Sequence, residues 1–203
     1  MKQRLILLTI LLTILTPLAW SLTREEQLQQ PNELRLGWGD MLYETAVYHS
    51  TPTIGNYRYT GHLFAEYQRS LKSWLSVGMQ LDYEQVWWNQ RPDIYSDYTA
   101  DNHSFYNITL LPTVRFTYFF RPYVNLYSAV NIGLTINGGT ETDMKGRYTA
   151  CAPALGVTLL GVQVGRKHVF GAVEIGGLSA LMGKNYIYMF DSRIFTASIG
   201  CRF

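Results

Sequence analysis

Apolar and polar residues alternate along most of the chain, most clearly from Val124 to Ile136. Val124, Leu126, Val130, Ile132, Leu134 and Ile136 fall on one face, and Asn125, Tyr127, Ala129, Asn131, Gly133 and Thr135 on the other. A period of two held over that length is the signature of a strand with one apolar and one polar face. The same reading predicts strands over 57–70, 74–88, 104–119, 149–165, 169–181 and 187–203, and a first strand beginning near Glu33, which makes eight. Their apolar faces carry Leu75, Val77, Met79 and Leu81, then Ile108, Leu110, Val114 and Phe116, and at the end Phe195, Ala197, Ile199, Cys201 and Phe203.

The connections decide what kind of β-protein this is. Odd-to-even connections are long (48–56, 89–103, 137–148, 182–186). Even-to-odd ones are tight turns at Leu71-Lys72-Ser73, Phe120-Arg121-Pro122 and Arg166-Lys167-His168. An even strand count with short turns at one end and longer loops at the other is the layout of a transmembrane barrel. The faces agree. Opposite the large aliphatics stand Glu66, Gln68, Gln80, Asp82, Arg115, Gln163, Glu174 and Arg202. An eight-stranded barrel is only wide enough inside for side chains to fill. A polar interior then implies an apolar wall against lipid. Tyr67, Trp74, Tyr118 and Tyr123 near one set of strand ends, and Tyr59, Tyr83, Trp87, Trp88 and Tyr106 near the other, form two candidate interfacial girdles. The fold class is therefore all-β, an eight-stranded antiparallel transmembrane β-barrel of up-and-down topology. A lipocalin-like soluble barrel is the alternative.

Two places depart from the pattern. After Leu36 and Trp38 comes Asp40-Met41-Leu42-Tyr43-Glu44-Thr45-Ala46-Val47-Tyr48. Either Asp40 caps a short helix there, or Gly39-Asp40 is a bulge and the strand runs on to Tyr48. Pro112 lies mid-strand on the apolar face, where proline removes a ladder hydrogen bond, so a bulge is expected at Leu111-Pro112.

Lys2 and Arg4 precede an apolar run from Leu5 to Ala19, followed by Ala19-Trp20-Ser21. A positive start, a short apolar core and a small-x-small site describe a secretory signal peptide. The division is 1–21 signal peptide and 22–203 barrel domain. Without Lys2 and Arg4, the chain's 17 Lys and Arg become 15, equal to its 15 Asp and Glu. That balance gives no footprint for nucleic acid. Cys151 and Cys201 fall near opposite ends of non-adjacent strands and are expected to stay free thiols.

At this level the chain resembles the small outer-membrane barrels of the OmpA and OmpX types. More narrowly it resembles short barrel proteins of Bacteroidota, through Glu33-Leu34-Arg35-Leu36-Gly37-Trp38-Gly39, Leu111-Pro112-Thr113-Val114-Arg115 and Leu126-Tyr127-Ser128. Phe203, with apolar residues at every second position behind it, is similar to the C-terminal signature that such barrels present to their assembly machinery. The resemblance implies an outer-membrane location, and outer-membrane lipid and the barrel-assembly machinery as partners. It implies no activity.

Candidate chemistry lies in two regions. Glu66, Asp82, Glu84, Arg115, Glu174 and Arg202 face the interior, where charges of both signs would form an ionic plug. Arg115 is the natural hub, since its fork can hold two carboxylates. The loop 89–102 with its border residue supplies Arg91, Asp93, Tyr95, Asp97, Tyr98, Asp101 and His103, a mixture suited to an extracellular ligand or protein partner. Thr140–Arg147 is a second loop of that kind. Some outer-membrane barrels modify lipid with a His, a Ser and a carboxylate. His103 and Ser104, as strand neighbours, point to opposite faces, so such an enzyme would need a partner from another loop. His62 is expected in the lumen, and His168 in a short turn. The four His and two Cys have no metal-ligand spacing, and no cofactor is expected. A non-enzymatic surface barrel is the leading reading. A lipid-modifying enzyme and an accessory subunit of a larger outer-membrane complex are the alternatives.

Overall fold

The structure is a computed structural model. It describes residues 30–40, 54–90, 102–121, 123–141, 146–165, 168–180 and 193–203. The strands in chain order are β1 (Asn32–Gly39), β2 (Ile54–Tyr59), β3 (His62–Lys72), β4 (Leu75–Gln90), β5 (Asn102–Phe120), β6 (Val124–Glu141), β7 (Gly146–Gly165), β8 (Val169–Ala180) and β9 (Phe195–Arg202). Every pairing is antiparallel. The ring runs β4-β3-β1-β9-β8-β7-β6-β5 and closes from β5 back to β4, which makes eight staves. β2 sits above β3 on the upper part of β4 and completes the second stave. The strand expected over 57–70 is thus two pieces.

The break has a physical cause. Gly61 takes φ +76°, in the left-handed region that favours glycine. The ladder is stitched across it by Thr60, whose N–H donates to Gln85 O (3.0 Å) while its hydroxyl accepts from Gln85 N (2.9 Å). The Trp38 indole N–H donates to Thr60 O (2.8 Å) from the next stave.

The staves are inclined to the barrel axis. Stepping through ladder partners from Glu33 to Gln68, Gly78, Thr113, Asn131, Gly156 and Leu178 climbs from the foot of β1 to near the top of β8. That stagger is what closing a sheet requires. The short-turn end is nearly flush. At the other end the wall is uneven, because β5, β6 and β7 have 19, 18 and 20 residues while β1 and β9 have 8. The highest partner of β7 on β8 is Ala180, opposite Ala154, so Gly146–Pro153 stands above the top of β8.

Alternation turns the barrel inside out relative to a soluble protein. Leu36 is 60% exposed and Ile132 63%, whereas Gln80, Asn131 and Thr135 are fully buried. Cys151 and Cys201 are free thiols on the outer face. Tyr67, Trp74, Tyr118 and Tyr123 are exposed near the short turns, and Tyr83 and Trp87 at the other belt. Tyr59 departs from its expected girdle place: its hydroxyl donates to Glu84 (3.4 Å), a lumen residue.

β1 ends at Gly39. Asp40 then adopts φ 63°, and its N–H donates to Phe195 O across the ladder (3.0 Å). Its carboxylate accepts from the backbone N–H groups of Arg193 and Phe195 at the head of β9, the latter at 3.0 Å. Residues 41–48, like 1–21, lie outside the described residues.

The bulge expected at Leu111-Pro112 is not formed. Pro112 points outward opposite Met79, and the β5–β6 ladder passes from Leu110↔Leu134 to Thr113↔Asn131 with no change of register. The compensation lies across the ladder. A Cβ on Gly133 would overlap Leu110 O and Leu111 Cα, so its absence lets the two backbones close up beside the missing N–H. The β5 register shift falls lower, between Thr117 and Phe119.

Gly133→Ala should therefore cost about 1–3 kcal/mol, the usual range for overpacking. Gly177→Ala, where a Cβ meets nothing within 4 Å, should stay within about 0.5 kcal/mol. Urea unfolding in detergent micelles checks this pair, and equal costs would contradict the close approach.

Candidate functional site

Each stave sends every second side chain inward, and most of the described strand charges fall at those inward positions. Arg202 Nε donates to Glu33 Oε1 (2.7 Å), and Arg115 Nη1 donates to Glu33 Oε2 (2.8 Å). The other arm of Arg115 reaches Glu66 Oε1 (3.3 Å). Arg35 holds Glu66 Oε2 from the other side and meets Glu174 Oε1 at 2.7 Å. Arg193 Nη2 reaches Glu174 Oε2 (3.5 Å). The result is one chain of alternating sign: Arg202, Glu33, Arg115, Glu66, Arg35, Glu174, Arg193. Each carboxylate in it serves two guanidiniums, and all seven residues are buried.

Neutral groups finish the chain. The Tyr127 hydroxyl accepts from Arg35 Nη1 (2.9 Å) and donates to Glu174 Oε1 (2.7 Å). The Tyr127 ring lies under the Arg115 guanidinium, 4.6 Å from centroid to carbon, a favourable cation–π separation. At the two ends, Arg202 covers the Phe170 ring (4.7 Å), and Arg193 Nη2 donates to Thr158 Oγ1 (2.9 Å). Because β1 and β6 stand on opposite sides of the ring, the Arg35–Tyr127 bond crosses the barrel axis. Side chains close the lumen at that level.

Asp82 and Glu84 do not join this chain. They hold His62 nearer the long-connection end, where Nδ1 lies 2.9 Å from Glu84 Oε1 and Nε2 3.5 Å from Asp82 Oδ1. Gln80 Nε2 also donates to Asp82 Oδ1 (2.6 Å). Leu111, Ala154 and Leu178 form a small buried apolar cluster in the same lumen.

Of the interior residues named from sequence, Glu66, Arg115, Glu174 and Arg202 thus come together, while Asp82 and Glu84 form a second cluster. Three members of the chain were not among them. Glu33 and Arg35 alternate with Leu34 and Leu36, so their inward parity was readable on the short first strand. Arg193 was not readable by parity. Counting back from Phe195 assigns it to the lipid face, but φ 68° breaks the alternation and turns its side chain inward. Arg115 and Arg35 each take two carboxylates and share Glu66, which holds the middle of the chain. The loop residues Arg91, Asp93, Tyr95, Asp97, Tyr98 and Asp101 lie outside the described residues. His103 lies in β5 opposite Trp88, and its side chain is outside the description. Phe203 is exposed at the foot of the barrel, its N–H donating to Asn32 O (3.0 Å). Among the described residues, no group of three His, Cys, Asp or Glu is arranged to hold a metal ion.

Removing a central partner should be costly, because a desolvated charge left unpaired costs several kcal/mol. Arg35→Ala should destabilise the barrel by about 3–5 kcal/mol. Arg115→Ala should cost less, since Glu33 keeps Arg202 at 2.7 Å and Glu66 keeps Arg35, whereas without Arg35 the carboxylates keep only the longer pairs Arg115–Glu66 (3.3 Å) and Arg193–Glu174 (3.5 Å). Urea unfolding in micelles, followed by tryptophan fluorescence, ranks the two. The reverse order would mean that Arg115, not Arg35, makes the pairs the interior depends on more.

No protein-family profile matches the chain, and no curated protein does. Among solved structures, the chain is similar to the N-terminal β-barrel domain of Pseudomonas aeruginosa OprF. The TM-score is 0.47 at 13% identity, over 86% of this chain and 98% of that one. It is similar also to Ail, the attachment invasion locus protein of Yersinia pestis, in complex with the heparin analogue sucrose octasulfate. There the TM-score is 0.44 at 10% identity, over 85% of this chain and 97% of that one.

Proposed function

We propose that this chain is an outer-membrane barrel of a Gram-negative bacterium, exported through residues 1–21. Its role is non-enzymatic, and its long connections contact envelope or environmental partners. One observation carries the reading: a closed barrel whose outer wall is apolar and whose described carboxylates all lie inside has lipid as its natural solvent. The filled lumen argues against a solute channel. What remains for recognition is the loop end, where the sequence 89–102 between β4 and β5 carries Arg91, Asp93, Tyr95, Asp97, Tyr98 and Asp101. In this orientation the short turns face the periplasm and Phe203 is available to the assembly machinery.

The barrel reading predicts resistance to SDS until the sample is boiled, seen as a heat-dependent shift on a gel. A folded sample with no shift would sink it. The non-enzymatic reading predicts that lipid mass spectrometry finds the same lipid A and phospholipid acylation with and without the protein. A change abolished by His103→Ala would make the chain a lipid-modifying enzyme instead. With no such change, crosslinking from the 89–102 loop should capture the extracellular partner, while a barrel captured chiefly through its wall would be an accessory subunit of a larger complex.

A further inference from the structure

Among the described side chains, the charges sort by sign. Glu33, Asp40, Glu66, Asp82, Glu84 and Glu174 are all buried. The exposed charges are Arg69, Lys72 and Arg121, all cationic and all at the short-turn end. They form one patch. Arg69 and Lys72 lie at the foot of β3, which pairs with β4. β4 in turn pairs with β5, and Arg121 follows β5 directly.

The patch is interleaved with aromatic rings. Lys72 Nζ sits 5.6 Å from the Trp74 ring centroid, Trp74 stacks on Phe116 (6.3 Å, 16° between planes), and the Arg121 guanidinium lies 5.6 Å from the Phe119 ring. Tyr67 and Tyr118 flank it on the outer face. Rings of this kind settle where hydrocarbon meets headgroup. The three cations are therefore held at the depth of lipid phosphates, with no carboxylate partner among the described residues.

We infer that this collar binds the headgroups of anionic phospholipid in the leaflet on the short-turn side. The inference rests on the membrane-barrel reading above, since only that reading puts the patch at a headgroup plane. Charge complementarity favours a lipid over a protein partner, because the patch is continuous with the lipid-facing wall. Each basic side chain near an anionic lipid surface contributes about 1 kcal/mol. An acidic lipid should thus be held over a neutral one by roughly fivefold even if one cation engages fully.

The test is native mass spectrometry of the full refolded chain in neutral detergent, with phosphatidylglycerol and phosphatidylcholine supplied in equal amounts. The wild type should retain phosphatidylglycerol about fivefold over phosphatidylcholine. The triple variant Arg69→Gln, Lys72→Gln, Arg121→Gln should bring the ratio close to one. A wild type with no preference, or a variant that keeps it, overturns the inference. Excess inorganic phosphate should leave retention in place, and full displacement would mean a phosphate-ion site rather than a lipid one. The gel shift is read on the same samples. A normal shift without lipid preference defeats the collar alone, whereas no shift in either protein defeats the barrel reading beneath it.

Discussion

A charge taken out of water into a narrow lumen must meet its opposite there, and the whole interior is arranged around that demand. The desolvation cost of an isolated ion is several kcal/mol even after relaxation. The chain from Arg202 to Arg193 meets it by letting each glutamate serve two arginines. Its members come from β9, β1, β5, β3 and β8 and from the residue two before β9. Glu33 on the first strand is thereby bound directly to Arg202 on the last, and Arg35 is linked to Arg193 through the shared Glu174. The seam where a barrel has to close is also where this chain begins and ends. Asp40 secures the same seam from above, through the backbone at the head of β9.

The same demand explains why glycine is placed where it is. Tyr127 fills the middle of the lumen because Gly161, on the adjoining stave, leaves room for its ring. Gly37 does the same for Phe64, over which the Arg35 guanidinium lies at 5.4 Å. Large polar or aromatic groups on one stave thus face glycine on the next, and volume is balanced across the wall. Outside, no such matching is needed, since lipid chains conform to whatever apolar surface they meet.

Strand number, connection pattern and facing were legible in the sequence because all three follow from a period of two. Lumen residues on regular strands, such as Glu66 and Gln80, could be placed by parity alone. Parity fails where the backbone leaves the extended region. Gly61 divided one stave, and Arg193 entered the lumen from a position that counting assigns to lipid. Pro112 failed in the opposite sense. A local rule demanded a bulge, and a glycine on the neighbouring strand removed the need. That glycine is visible in the sequence, but its partnership with Pro112 depends on cross-strand register, which no single strand encodes. The split of the interior charges into two groups has a similar origin. It depends on heights along inclined staves, and these are fixed only when the ring closes.

A filled lumen and a lipid-facing wall leave only the two ends of the barrel able to meet anything soluble or charged. These ends differ. The short-turn end has little backbone beyond the apolar band, and its described exposed charges are cations seated among rings, a surface suited to a flat, chemically simple partner. The opposite end carries strands of 18–20 residues, well past the 9–11 that cross a bilayer. Extra paired backbone of that kind does not help the barrel span. It carries the paired ends of β5, β6 and β7 beyond the apolar band, and this difference underlies the proposal of recognition at that end and anchoring at the other.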